Sequence, residues 1–457
     1  MAENKNSKMD MINGSILPKV LVFTLPVMAS SFLQQLFNSV DSAVVGQFSG
    51  SMALAAVGSN SPLINLFLNL FNGLSVGANV VIAKLIGERR EDKVEKAVPT
   101  VMLVAILGGF LLLFLGIFLS TPLLEMIDTP EEILPLASLY LKIYFAGMPF
   151  IMIFNFGSAI LRSYGDTKRP LYALMLAGIA NVILDLVFVA GLGMSVAGVG
   201  IATVVSNAIS SMIVLAMLLR HKGCIRLSFR DFSFNKKAFG LMFRIGMPAG
   251  MQGLLFSLSN FCILGAINSF GPYAAAGSAA CNNYDHFSYF ICSAFIQAAV
   301  TFTSQNYGAG KYERCKKIYW IILASSVLIG LVFDLTVTVF RYPLLSIFTD
   351  DPEALYYGSI KVIIGISCHT LINFYEIPGG CLKGLGRSMV SALITLFCCC
   401  VFRLFWIYAV LPHHHTYSFM MLVYPLSWIL ASIFLNIAYF RVRKKIFDSA
   451  ANPVYSY

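Results

Sequence analysis

Residues 16–46 decide the fold, and they read ILPKVLVFTLPVMASSFLQQLFNSVDSAVVG. This apolar run is longer than the roughly 20 residues that a helix needs to cross a bilayer. Pro26 lies inside the run, and Asp41 lies near its end. A proline kinks a helix, and a carboxylate in hydrocarbon is costly unless it faces a partner or a cavity. The stretch therefore predicts a membrane-spanning helix with a hinge at Pro26 and a charge to neutralise.

The composition of the whole chain is that of a membrane protein. Of its 457 residues, 58% are hydrophobic and 12% are charged, whereas soluble domains carry about 25% charged residues. The first 15 residues are polar, and no small-residue cleavage site follows the first apolar run, so we expect no signal peptide and a cytoplasmic start. The ten cysteines show no spacing typical of disulfides or zinc sites, which predicts free thiols.

Twelve apolar runs are long enough to span the membrane. We expect spans at 16–44, 52–83, 97–120, 134–161, 170–191, 196–219, 239–268, 274–305, 317–340, 354–382, 389–411 and 417–440.

The basic residues follow this topology. Alternate loops hold 28 of the 32 Lys and Arg residues, and the intervening loops hold one, Arg341. Because cytoplasmic loops carry the excess of Lys and Arg, the pattern predicts a multi-pass protein of the cell (inner, plasma) membrane with both termini in the cytoplasm. The net charge of +10 is then topological, and we expect no nucleic-acid partner.

The chain also repeats itself at an offset of 221–222 residues. Leu25-Pro26 matches Met247-Pro248, DTPEE at 128–132 matches DDPEA at 350–354, and LRSYGDT at 161–167 matches LKGLGRS at 382–388. Six spans per half give both halves the same orientation, and a site is expected where such repeats meet. The predicted division is a cytoplasmic segment 1–15, an N-lobe 16–219, a linker 220–238, a C-lobe 239–440 and a cytoplasmic tail 441–457.

With its six-plus-six repeat, FNSVDSAVVGQFSGSMALAAVG at the end of span 1 and LRSYGDTKRP after span 4, the chain resembles the multidrug and toxic compound extrusion (MATE) transporters. The resemblance implies an all-α membrane fold of twelve helices in two lobes. It also implies an antiporter that expels amphipathic, often cationic compounds in exchange for H+ or Na+.

Several polar side chains of the N-lobe spans lie at one predicted depth. At 1.5 Å per residue, Asp185 lies about 22 Å above the cytoplasmic end of its span, and Thr203 and Tyr140 lie about 9 Å below the outer ends of theirs. Asp41 belongs to the same level, and Asn181 shares a helix face with Asp185. Such a cluster can bind a hard cation or share a proton; alternatively, these are isolated residues satisfied by hydrogen bonds between helices.

The resemblance implies that Asp41, Asn181, Asp185 and Thr203 form the family's first-lobe cation site, with Tyr140 beside it. The family's second-lobe site is in question, because span 7 carries no acid. A buried Arg403 needs a counter-ion, so we expect a C-lobe ion pair with Asp285 or Glu376. Lys361 is expected to extend to the outer interface.

Three residues on the face of Asp41, namely Gln34, Phe37 and Asn38, are candidates for the wall of a substrate cavity. No enzyme motif or ATP-binding domain is present, so we expect an ion-driven transporter that needs no cofactor and no metal beyond a possible Na+. Its expected partners are small amphipathic or cationic substrates and membrane lipid, and it is expected to work as a monomer. The alternatives are a lipid-linked precursor flippase and a receptor or channel without coupled transport.

Overall fold

The computed structural model describes residues 9–228 and 234–451, and all regular structure in them is helical. This confirms the all-α fold that the apolar runs predict. The N-terminal segment, the linker and the tail extend in part beyond the described residues.

The first half of the chain contains six helices and one π-helical turn. These are α1 (Leu17–Gly87), α2 (Glu91–Met126), α3 (Leu134–Ala146), α4 (Met148–Tyr164), α5 (Lys168–Asp185), the π-helical turn Leu186–Gly191 and α6 (Ser195–Leu219). α1 comprises two helices joined at Gly50, whose φ of 83° and ψ of 177° are not helical. Glycine tolerates this positive φ because it has no Cβ.

The second half begins with α7 (Lys236–Asn268), α8 (Pro272–Gly308), α9 (Tyr312–Val339), α10 (Arg341–Leu345) and α11 (Pro352–Ile364). A 3₁₀ segment, Ile366–Ile372, separates α11 from α12 (Asn373–Gly384). The chain then continues through α13 (Ser388–Thr395), the π-helical turn Leu396–Val401, α14 (Phe402–Phe405), the π-helical turn Trp406–Val410, the 3₁₀ turn Leu411–His413, α15 (Tyr417–Met421) and α16 (Val423–Ala451).

The helices confirm the twelve predicted spans. Over the described residues, ten helical segments are long and apolar enough to cross a membrane, and the pair α3 and α4, bent by 46°, makes one further span. Because the 71-residue helix α1 contains two helices joined at Gly50, it supplies two of the twelve. Large apolar side chains lie on outward faces, as with Phe118 at 75% and Leu328 at 65% exposure, which suits a surface in contact with lipid.

The chain folds as two compact units whose boundaries fall at the two repeated prolines. One unit is built on Leu25–Met247, and the other on Met11–Thr24 together with the residues from Pro248 onward. The start of α1 therefore packs in the second unit, where the ring of Phe23 lies edge-on to Phe302 at 5.6 Å. The division falls within α1 and α7, not in the linker 220–238.

Both units contain a span that is broken near its middle. In the first, α3 and α4 meet at Gly147. In the second, the 3₁₀ segment Ile366–Ile372 separates α11 from α12, and His369 lies at the repeat position of Gly147. A stretch of 3₁₀ helix in the middle of a span often marks a hinge or a functional site.

Candidate cation-binding site

The first unit buries the polar residues that the sequence places at one depth. Asp41 comes from α1, Tyr140 from α3, Asn181 and Asp185 from α5, and Thr203 from α6. Asp185 is 0% exposed, Asn181 4%, Tyr140 6% and Asp41 9%. The four-residue spacing of Asn181 and Asp185 points both side chains to one side of α5, and the π-helical turn Leu186–Gly191 follows directly.

The structure brings these side chains together around Asp41. The Thr203 hydroxyl donates a 3.5 Å hydrogen bond to Asp41 Oδ2. The side chains of Asp185 and Asn181 also interact with the Asp41 carboxyl group. Helix α1 and the consecutive helices α5 and α6 thus supply one polar cluster, as the depth calculation predicts.

Several polar atoms of this cluster lack a hydrogen-bond partner. They are Asp41 Oδ1, both carboxyl oxygens of Asp185, and Asn181 Nδ2. Among the described residues, neither carboxylate forms an ion pair with Lys or Arg. Buried carboxylates without a cationic partner are costly, so this geometry fits a site that takes up a cation.

Two tyrosines line the same cluster. Tyr140 lies close enough to interact electrostatically with Asp41 and Asp185. Tyr144 interacts with Asp41, and its ring lies 6.2 Å from that of Tyr140. Sequence analysis missed Tyr144, although its position one helical turn after Tyr140 was a usable signal.

The cluster can hold a cation in two ways. Carboxylate, amide and hydroxyl oxygens are the ligands that hard cations such as Na+ prefer. Alternatively, two carboxyl groups that share one buried site can hold a single proton between them, because two like charges in contact repel. Both outcomes neutralise at least one of the two acids.

The other predicted residues of span 1 lie on the same helix with mixed exposure. Gln34 and Asn38 are exposed, and Phe37 is half-buried. The Phe37 ring packs on α5 at Gly178, where an added Cβ would lie 1.7 Å from Phe37 Cε2. Helix α1 continues through Pro26, whose carbonyl accepts a 2.8 Å hydrogen bond from Ser30 Oγ. The cavity and hinge roles stay predictions.

The expected ion pair of Arg403 in the second unit is wrong. Asp285 instead contacts Lys361 Nζ at 3.4 Å, and no ion pair of Arg403 or Glu376 occurs among the described residues. Arg403 is 1% exposed. Its guanidinium donates to Ser427 Oγ at 3.1 Å and Asn260 Oδ1 at 3.2 Å.

Aromatic rings complete the surroundings of Arg403. Its guanidinium carbon lies 5.2 Å from the ring centres of both Phe256 and Tyr424, and such cation–π contacts stabilise a desolvated cation. The expectation that Lys361 extends to the interface is also wrong. Lys361 is 2% exposed, because Asp285, Asn282 and the Ser278 carbonyl surround its ammonium group.

Comparisons with known proteins identify the wider group. The MatE family profile matches residues 26–187 and 248–409, so each match begins at one of the repeated prolines. Two relatives from Bacillus subtilis (strain 168) match most of the chain. The "Probable multidrug resistance protein YoeA" is 25% identical over 84% of both chains. The "Probable multidrug resistance protein YpnP" is 27% identical over 86% of this chain and 88% of its own.

A solved structure shares the fold. The crystal structure of MATE in complex with MaL6 superposes with a TM-score of 0.90, at 21% identity, over 96% of this chain and 98% of that one. The two matched repeats together cover more than half of this chain. The chain therefore belongs to the MatE family of membrane transporters, and not to a family of enzymes.

Proposed function

We propose that this protein is a secondary antiporter that exports amphipathic, often cationic compounds in exchange for H+ or Na+. The observation that carries the proposal is the cluster of Asp41, Asp185 and Asn181, whose buried polar atoms lack partners. The multidrug resistance names of its relatives support the substrate class.

In the proposed cycle, the coupling ion enters the Asp41–Asp185 site and neutralises it. A neutral site removes the cost of two buried acids in contact, so the helix that carries Asp41 is free to change its packing. Pro26 provides the hinge, because the helix lacks a backbone hydrogen bond there. The ion thereby favours one conformation and the substrate favours the other, which couples the entry of the ion to the export of the substrate.

The orientation follows from the charges. The Lys- and Arg-rich loops face the cytoplasm, so both termini lie inside and Asp41 lies in the outer half of the cell membrane. The protein works as a monomer surrounded by lipid and binds small molecules in a cavity that Gln34, Phe37 and Asn38 help to line.

Export from cells tests the proposal. Asp41→Asn and Asp185→Asn each keep the side-chain shape and remove the titratable charge. We expect cells with either variant to accumulate a fluorescent amphipathic cation about as strongly as cells without the protein. Asp128→Asn is the matched control, since Asp128 is exposed in a loop, and it should export as wild type does.

The amount of each variant in the membrane must equal that of the wild type, as measured by immunoblot. Wild-type export by either site variant would refute the proposal. Imposing a proton gradient or a Na+ gradient separately on proteoliposomes then identifies the coupling ion. A transporter that exports under neither gradient would not be an antiporter of this kind.

A further inference from the structure

From a second buried network, we infer that Asp334, Ser288 and His369 form a proton-binding site in the second unit, separate from the Asp41–Asp185 cluster. Asp334 lies on α9, Ser288 on α8, and His369 on the 3₁₀ segment Ile366–Ile372. The inference concerns proton binding alone and does not rest on the proposed function, because proton binding does not depend on transport.

Short hydrogen bonds connect the members of this network. Ser288 Oγ lies 2.6 Å from Asp334 Oδ1 and 2.7 Å from His369 Nδ1. Thr370 Oγ1 donates to Asp334 Oδ2 at 2.5 Å. Such distances are typical of charge-assisted bonds to a carboxylate. Asp334 is 0% exposed, Ser288 3% and His369 6%, so the network is enclosed by protein.

Counting hydrogens shows that Ser288 links the protonation of its two neighbours. Its hydroxyl carries one hydrogen and can donate to only one of them. If Asp334 is ionised, Ser288 donates to Asp334, and His369 Nδ1–H donates to Ser288. If Asp334 is protonated, its O–H donates to Ser288, and Ser288 donates to a bare His369 Nδ1.

The two arrangements differ by a shift of hydrogens along one chain. When a proton binds at His369 Nε2, the Nδ1 proton can pass to Ser288 Oγ while the Ser288 proton passes to Asp334. One proton is gained overall, and no co-reactant is needed. The network therefore provides a path that carries a proton to a carboxyl group with no exposed surface.

The charges around the network leave Asp334 without an ion-pair partner. The Asp285 carboxylate, which is near enough to interact with His369, is already paired with Lys361. No ion pair of Asp334 occurs among the described residues, so the deprotonated network holds an uncompensated buried charge. Two other titratable groups lie near the network on α8: His286 interacts with His369, and Cys292 interacts with Asp334. Glu376 of α12 interacts with Cys292. Tyr424 of α16 packs against Trp428, whose ring in turn contacts His369.

The break in the span is an independent sign of a functional site. His369 and Thr370, the residue that donates to Asp334 Oδ2, both lie on the 3₁₀ segment itself. Asn373, at the first turn of α12, is 3% exposed, and its Oδ1 has no hydrogen-bond partner. Gly330, one turn before Asp334, lies beside Thr370 and Asn373, and its missing side chain leaves space there. A change in protonation thus acts directly on the irregular segment.

The ligand of this network is a proton and not a metal ion. Cations such as Na+ or Ca²⁺ must sit about 2.3–2.6 Å from each of several oxygens. In this network the oxygens of Asp334, Ser288 and Thr370 contact one another directly. A hydrogen fits between such atoms, whereas an ion would have to separate them.

Infrared difference spectroscopy during a pH titration tests the inference without any transport. The experiment uses the full chain carrying Asp41→Asn and Asp185→Asn, which silences the first cluster. We expect a carboxylic-acid band whose intensity changes during the titration and that disappears with Asp334→Asn. We also expect one proton fewer in the potentiometric titration of the Asp334→Asn protein.

Ser288→Ala removes the hydroxyl that connects Asp334 to His369, while both titrating groups remain. We expect Asp334 and His369 then to titrate in two separate steps. Ser259→Ala is the matched control, because Ser259 is 2% exposed and its hydroxyl donates to the Cys399 carbonyl, outside the network. The inference is overturned if the band persists in Asp334→Asn, or if Ser288→Ala titrates as Ser259→Ala does. Because this readout needs no substrate, failure of export would leave it intact.

Discussion

The two halves of the chain share a repeat but treat their buried polar groups in opposite ways. At an offset of 221–222, Asp41 corresponds to Ile263, Asn181 to Arg403, Asp185 to Ile407 and Tyr140 to Lys361. The first half has acids whose oxygens lack partners. The second half has cations whose donors are bonded within the same unit.

The difference separates architecture from chemistry. Both halves retain the proline at the unit boundary and a break in the corresponding span, so these positions belong to the shared fold. The 3₁₀ form of the break, Ile366–Ile372, belongs to the second half. At these paired positions, acids without a partner occur in the first half and not in the second. A polar group that is fully bonded contributes to a fixed packing, whereas one without a partner can exchange a ligand. We therefore expect mutations of buried charged residues to affect stability in the second half and transport in the first.

The largest expected effect on stability is that of Asp285→Ala. This change leaves Lys361 buried without its carboxylate, and we expect a loss of about 3–5 kcal/mol in the free energy of unfolding. Asp41→Ala should cost less than about 1 kcal/mol, because Asp41 has no cationic partner to strand. Thermal unfolding of the purified proteins in detergent compares the two.

A double variant controls for the loss of the side chain itself. Asp285→Ala with Lys361→Met removes both charges, and such replacements are often nearly neutral. We expect it to recover most of the stability that the single change loses. Equal destabilisation by Asp41→Ala and Asp285→Ala would remove the distinction between the halves.

A smaller effect should appear at the loop that follows α6 in the first half. The His221 ring lies edge-on to Tyr164 at 5.0 Å, and burial, together with Arg169, lowers the pKa of His221 below its usual 6.5. The folded state then binds this proton less readily than the unfolded chain, so stability is full above pH 6.5 and falls as the pH drops below it.

His221→Phe should remove this pH-dependent change in the free energy of unfolding. The change amounts to less than about 0.5 kcal/mol, because the ring is only partly buried. Unfolding temperatures between about pH 7.5 and 5.5 measure it. In the second half, Leu385 stands at the place of Tyr164 and Arg387 at that of Asp166. Leu385→Ala therefore serves as a control that should keep the pH slope of the wild type. An unchanged slope in His221→Phe would show that another group titrates there.

The sequence predicts the fold well because a membrane imposes strong constraints on it. A span needs about 20 apolar residues, so the twelve helices and the repeat can be read directly. The residues of the first cluster are also accessible to such reasoning, since helical rise places Asp41, Asp185 and Thr203 at one depth. Tyr144 lies one helical turn after Tyr140 on the same face of α3, so the same reasoning could have included it.

The polar contacts of the second half could not be predicted in the same way. Lys361 and Asp285 are 76 residues apart, and Arg403 and Ser427 lie on different helices. Which acid meets which base depends on helix rotation and on the 3₁₀ segment Ile366–Ile372, and neither leaves a clear sequence pattern. The network of Asp334, Ser288 and His369 depends on the same break in the span.

The most direct test of the asymmetry is counter-ion flux driven by substrate in proteoliposomes. Flux of H+ or Na+ is measured for the wild type, for Asp41→Asn, and for the double variant Asp285→Asn with Lys361→Met. We predict that Asp41→Asn abolishes the flux, whereas the double variant keeps it. Flux that persists in Asp41→Asn, or that is lost only in the double variant, would contradict the assignment of ion coupling to the first half.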